Sequence, residues 1–219
     1  MSQTSTTIRR ATYTHERGDI RRQKLIDSAI ELLSTRDIDE VSFVDIARHA
    51  KLPTASAYHF YRNKNDLLAA LVAYYHKEVN EFVLREYDAK TINTWPDIID
   101  QIIDRDAEYF KGKDVPRKLF YSGKAPPKIK LLDRTGDKEI GTNIEEVLSR
   151  HFVLPDIPDK QRVFFIVVEI IDTIFTLSVT EHSFITEAYV EETKRATKGY
   201  LKTYLPEILS RKIIARPAS

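Results

Sequence analysis

Between Val41 and Leu68 the chain reads VSFVDIARHAKLPTASAYHFYRNKNDLL, and its apolar residues fall at helical spacing, stop, and resume twice. Ser42 followed by Asp45 is a capping box, in which hydroxyl and carboxylate each satisfy a free amide of the first turn. Phe43, Ile46, Ala47 and Ala50 then occupy i, i+3, i+4 and i+7, one face of a helix. Lys51-Leu52-Pro53 ends it, because a residue before proline is pushed out of helical backbone. Thr54 is placed to cap a second short helix that keeps Ala57, Phe60 and Tyr61 on one side. The other side offers Thr54, Ala55, Ser56, Tyr58, His59 and Arg62, and a second capping box, Asn63 with Asp66, opens a third helix at Lys64. Two short helices joined by a tight turn, the second presenting hydrogen-bonding side chains, make a helix-turn-helix shaped for a DNA groove.

These pieces resemble the DNA-binding domain of the tetracycline-repressor (TetR) family of bacterial transcription regulators. The matching elements are the amphipathic helix Ile20–Thr35, Ser42, Asp45-Ile46-Ala47, and Tyr58-x-x-Tyr61-x-Asn63-Lys64-x-x-Leu67. Two positions depart from the family pattern. Lys51 stands where a glycine is usual, which implies mild left-handed strain in the turn. Tyr61 stands where phenylalanine is usual, adding a hydroxyl that needs a partner. The resemblance implies that Thr54, Ala55, Ser56 and His59 approach base edges in the major groove. Hydroxyls and a methyl discriminate bases less sharply than a bidentate Arg or Asn, so DNA shape is expected to share the reading. Tyr58 and Lys64 are assigned to phosphates, with Lys51 and Arg62 beside them and Ser42 at a helix start as a further phosphate site.

Charge distribution agrees with this reading although the net charge is only +1. Six basic residues (Arg9, Arg10, Arg17, Arg21, Arg22, Lys24) face Glu16 and Asp19 between Met1 and Lys24, and Arg48, Lys51, Arg62 and Lys64 face Asp45 alone between Val41 and Asn65. Residues 1–18 are therefore expected to be a basic, flexible arm, residues 19–66 the DNA-binding domain, and residues 67–219 a domain for effector binding and dimerisation. The absence of cysteine excludes disulfides and thiol catalysis. The opening residues carry no apolar run, so no secretory signal is expected and the cytoplasm, at the bacterial nucleoid, is the expected location.

Downstream of the motif the pattern is helix after helix. Leu67, Leu71, Tyr74, Tyr75, Val79, Phe82 and Val83 stripe a long connector from Asn63 to about Asp88. Thr94 with Asp97, and Pro96 in the first turn, start a helix carrying Ile98, Ile99, Ile102, Ile103 and Phe110. A short helix with Leu119, Phe120 and Tyr121 follows, then one with Ile140, Ile144, Val147 and Leu148. The run Val163–Val179 is apolar nearly all round but interrupted by Glu169 and Asp172, which reads as a buried helix rather than a membrane span. A last helix spans about Thr186 to Tyr204. The fold expected is all-α.

The aromatic-rich middle predicts an apolar pocket for a small apolar or amphipathic effector, walled by Tyr74, Tyr75, Tyr109, Phe110, Phe120, Tyr121 and Phe165. Glu169, Asp172, Thr173 and Thr176 put polar groups on one side of the apolar helix. They either meet a cationic or hydroxylated effector or pair with Arg195 or Lys198 of the last helix. The resemblance implies a homodimer through the last two helices, with Phe164, Val168, Ile171, Phe175, Tyr189, Thr193, Thr197, Tyr200 and Tyr204 at the interface. Such a dimer would set two recognition helices about 34–36 Å apart on a palindromic operator. No phosphate-binding glycine loop, serine elbow or histidine pair at metal spacing is present, so neither an enzyme, a cofactor nor a metal is expected. The function expected is a homodimeric repressor released from DNA by an effector. The alternative is a regulator or chromosome-organising protein governed by a protein partner, with no small effector.

Overall fold

The computed structural model describes residues 4–87 and 91–212, with side chains from residue 18 onward. Among the described residues there are nine helices and no strand: α1 (Thr4–Thr35), α2 (Phe43–His49), α3 (Thr54–Phe60), α4 (Lys64–Val83), α5 (Trp95–Phe110), α6 (Asp114–Phe120), α7 (Pro127–His151), α8 (Lys160–His182) and α9 (Glu187–Leu201). The chain divides into two compact units, Met1–Leu71 and Val72–Ser219, so the boundary falls inside α4 rather than at residue 66. The expected arm is helical backbone from Thr4, continuous with α1. The side chains of Arg9, Arg10 and Arg17 lie outside the described residues.

In the first unit α1 packs on α2 and α2 on α3. Leu25, Ala29, Leu33, Ile38, Val41, Ile46, Ala47, Ala57 and Leu67 are buried, which is the inward face that the spacing of the sequence marks out. The first capping box forms as expected: Asp45 N–H donates to Ser42 Oγ (3.1 Å), and Ser42 N–H donates to Asp45 Oδ2 (3.2 Å). At α3 the expectation fails in detail. The N-cap is Pro53, whose carbonyl accepts from Ser56 and Ala57, and Thr54 is already the first helical residue. Proline's fixed φ suits this position, so the helix starts without a side-chain cap.

The second unit layers α8 against α7 and α9, with α5 on α9. α7 begins at Pro127, well before Ile140, because Pro126-Pro127 suits a helix start. Gly141 lets α7 and α8 approach closely: a Cβ there would lie 2.8 Å from the Phe164 backbone. Trp95 is fully buried and its Nε1–H donates to the Pro206 carbonyl (3.0 Å), fixing the segment after α9. α8 is the one described helix long and apolar enough to cross a membrane, yet only part of it is covered here. Phe164, Val168, Ile171 and Phe175, expected at a dimer interface, face the interior of the protomer, as do Thr193 and Thr197 of α9. The outward stripe of α8 is instead Ile166, Ile170, Thr173, Ile174 and Leu177. A helix apolar on every side carries no internal mark of which side meets its own subunit.

Lys51 sits in left-handed backbone at φ 55°, as the glycine usual at this position in the resembling family implies. An L-residue there is strained by about 1 kcal/mol, and glycine is not. Lys51→Gly is therefore expected to raise the stability of the helix-turn-helix by about 0.5–1 kcal/mol in urea unfolding; a loss would show that the lysine side chain outweighs the strain.

Candidate DNA-reading surface and acid-lined cavity

α3 presents the residues that the sequence assigns to DNA. Ala55, Tyr58, His59 and Arg62 are exposed, and Thr54 and Ser56 half-exposed, while Ala57 and Tyr61 anchor the other side. Tyr58 lays its ring 4.8 Å from that of Phe43, so α2 holds the phenol in place while leaving its hydroxyl at the surface. The Arg62 side chain is 89% accessible even while paired to Asp66 at 3.1 Å, and Arg48 pairs with Asp45 at 3.2 Å. These ion pairs aim the guanidinium groups without burying them.

Two phosphate assignments change in character. Lys64 donates to the carbonyls of Ile38 (2.8 Å) and Val41 (3.0 Å), so its ammonium joins the start of α4 to the loop before α2. This explains a cation in the first turn of a helix, where the dipole alone disfavours it. The Ser42 hydroxyl is already taken, donating to Asp45 Oδ2 (2.6 Å) and accepting from the Asp45 amide. These hydrogen bonds hold the Asp45 carboxyl below the usual range. Asn63 caps α4 by accepting from the Asp66 N–H at 2.9 Å.

The second unit encloses a cavity of about 40 Å³. Val79, Val83, Ile102, Ile140 and Ile144 form apolar walls, and Phe110, Phe120, Tyr121 and Asp172 line it as expected. Tyr74 and Thr173 point to the surface instead. Tyr75 and Tyr109 are core residues, the Tyr109 hydroxyl donating to Glu78 at 2.8 Å, and Phe165, Glu169 and Thr176 are not in the lining. Neither expected partner of the α8 carboxylates is used. Glu169 pairs with Arg134 (3.1 Å), while Lys198 meets Asp100 (2.6 Å) and Arg195 meets Glu192.

Sequence reasoning missed the polar half of the cavity. His76 of α4, Asp106 of α5, and Asp133 and Asp137 of α7 converge there with Asp172. His76 Nε2 lies 2.9 Å from Asp133 Oδ1. Gly136 makes this possible, because a Cβ there would come within 2.7 Å of the imidazole. Asp133 and Asp137 lie one turn apart, and with Gly136 and Gly141 they were the only hint in the sequence. Burial pushes Asp106 up to about 7, against a hydrogen bond from Tyr121, and burial with Asp133 nearby pushes Asp137 up to about 8. Asp172 is raised as well, by burial and then by Asp137 and Asp133, and Tyr121 by burial beside Asp106.

Both parts of the chain match family models. Residues 25–71 match the model described as bacterial regulatory proteins, tetR family, and residues 93–205 match the tetracyclin repressor-like C-terminal domain. The chain belongs to the TetR family of transcription regulators, and with its helix-turn-helix it is a DNA-binding regulator. No match was found among curated protein sequences. Among solved structures, a TetR-family regulator from Streptomyces coelicolor is 22% identical with a TM-score of 0.66, covering 84% of this chain and 99% of its own. A TetR-family regulator from Pectobacterium atrosepticum is 18% identical with a TM-score of 0.59, covering 88% and 98%. The flavonoid-responsive regulator FrrA is 17% identical with a TM-score of 0.51, covering 86% and 98%. Likeness at this level shows the shared fold.

A carboxyl whose folded-state pKa is raised favours the fold while protonated and loses that contribution as pH climbs to its folded value. For Asp106 the loss runs from about pH 4 to about pH 7. In metal-free buffer Asp106→Asn is expected to match the parent near pH 4.5 and exceed it at pH 8 by on the order of 2–4 kcal/mol in urea unfolding. Parallel pH profiles for the two proteins would contradict the burial.

Proposed function

We propose that this TetR-family protein is a homodimeric repressor that an effector releases from a palindromic operator in the bacterial cytoplasm. The observation that carries the reading is α4. It starts at Lys64, tied to the loop before α2, and its later residues His76, Val79 and Val83 line the cavity. One helix thus supplies residues both to the reading unit and to the wall of the proposed ligand site. An effector that prefers one setting of α4 shifts DNA affinity by linkage, and DNA shifts effector affinity by the same factor.

The uncovered stripe of α8 supports the dimer. Ile170 and Ile174 are half-exposed and Leu177 is 49% exposed, in line along one face, which a two-fold partner helix would cover. Groove contact by Thr54, Ala55, Ser56 and His59, with Tyr58, Lys51, Arg62 and the first-turn amides after Ser42 on phosphates, fits the exposed face of α3. The third Lys64 donor is left for a phosphate as well. That the relative FrrA is named flavonoid-responsive supports a sensing role for the C-terminal domain. A cavity of about 40 Å³ has room for a few waters, below the space an organic effector fills. That size favours the second reading, control by a protein partner, unless the effector is very small.

Operator sequences selected in vitro from random DNA are expected to be palindromic. Lys51→Ala and Arg62→Ala should weaken binding to every sequence and lower the salt slope by about 0.9 per lost phosphate contact. Ser56→Ala or His59→Ala should relax preference at single base pairs, costing about 1–3 kcal/mol each. A changed base preference in the lysine or arginine variant would reverse these roles. Ile170→Glu with Leu177→Glu should sediment as a folded monomer that no longer binds the selected DNA; a persistent dimer would move the interface elsewhere.

A further inference from the structure

We propose that His76, Asp133 and Asp137 form a binding site for one divalent first-row transition-metal ion. One ligand atom from each lies within 4.8 Å of the other two. The closest pair, His76 Nε2 and Asp133 Oδ1 at 2.9 Å, already has the spacing of neighbouring ligands on one ion. Metal bonds of about 2.0–2.2 Å place neighbouring ligand atoms roughly 3–3.6 Å apart, so binding would draw the third in by about 1 Å. The inference deepens the reading of the C-terminal domain as a sensor and rests on it only for the regulatory consequence.

Asp137 is the observation that asks for a cation. It is 3% exposed and lines the cavity, and no described group donates a hydrogen bond to it. A buried carboxylate without a partner is costly unless a cation or proton meets it. The nearby cations are committed elsewhere. Lys130 stands 4.0 Å from Asp133 and donates to the Phe120 carbonyl, and Arg134 pairs with Glu169. The His76 contact accounts for Asp133, whereas Asp137 is left to a proton or to a cation that displaces it. Two further aspartates, Asp106 and Asp172, line the same cavity and add to its negative potential.

The donor set selects the metal class. One imidazole with two carboxylates suits Zn²⁺, Mn²⁺, Fe²⁺, Co²⁺ or Ni²⁺, whereas Mg²⁺ and Ca²⁺ favour oxygen alone. The cavity of about 40 Å³ leaves room for a water to fill a remaining coordination position. Gly136 serves the site by letting the imidazole lie against α7, where an added Cβ would collide with it. The ion would join α4 to α7, so its binding energy would select one setting of α4.

The test uses tag-free full-length protein dialysed against a chelator and titrated with Zn²⁺, Co²⁺ or Mn²⁺ alone. One ion per chain is expected by calorimetry and elemental analysis. His76→Gln and Asp137→Asn should each lower affinity about ten-fold or more, while Glu146→Gln, an exposed carboxylate on α7, should leave it unchanged. Mn²⁺ added to the unsubstituted protein should broaden the His76 imidazole resonances before those of the exposed His49 and His59, which keeps the test valid if a variant fails to fold. No saturable uptake, uptake equal in all variants, or broadening that spares His76 would overturn the site. Gel shifts on selected operator DNA with and without Zn²⁺ separate the two claims. A metal that binds through these residues yet leaves DNA affinity unaltered supports the site and removes its role as the effector.

Discussion

Carboxylates placed in an apolar helical interior must be met by protons, hydrogen bonds or cations, because the low-dielectric surroundings penalise bare charge by several kcal/mol. Asp106, Asp133, Asp137 and Asp172 come from three different helices and meet beside His76 and Tyr121. The consequence is visible in the raised carboxyl groups of Asp106 and Asp137. A core optimised only for stability would fill this space with leucine or valine, as the rest of the domain does.

α4 contributes residues to both units of the chain. Its first turn is held by Lys64 on two carbonyls of the loop before α2, and its later turns carry His76 and the apolar wall of the cavity. A helix transmits small displacements because its hydrogen-bonded backbone does not bend without a cause such as proline or a bulge, and α4 contains no proline. The reading surface is correspondingly plain: short hydroxyl and methyl side chains on α3, surrounded by guanidinium and phenol groups steered by neighbouring residues.

Much of this was legible in the sequence. The capping boxes at Ser42 and Thr94, the inward face of α2 and the all-α fold follow from local rules, because caps, breaks and helical periodicity act within a few residues, while the strained turn at Lys51 came from the family resemblance. The cap of α3 was misplaced by one residue, since a proline can begin a helix with no side-chain acceptor. The rotational setting of α8 was read half a turn out. With apolar residues on every side, only contact with α7 and α9 shows that Phe164, Val168 and Phe175 point inward and Ile170 and Leu177 outward.

The sequence by itself determined the reading head: a helix-turn-helix of defined length, its exposed residues, and the helix that leaves it. Those features depend on spacing along a single stretch of chain, where neighbours in sequence are neighbours in space. Only the tertiary structure decided the acid-lined cavity. His76 lies 57 residues from Asp133, and Asp106 and Asp172 sit on still other helices. A lone histidine and scattered aspartates look like solvated surface until packing removes them from water. Burial is a property of the folded assembly, and so are the raised carboxyl groups that follow from it.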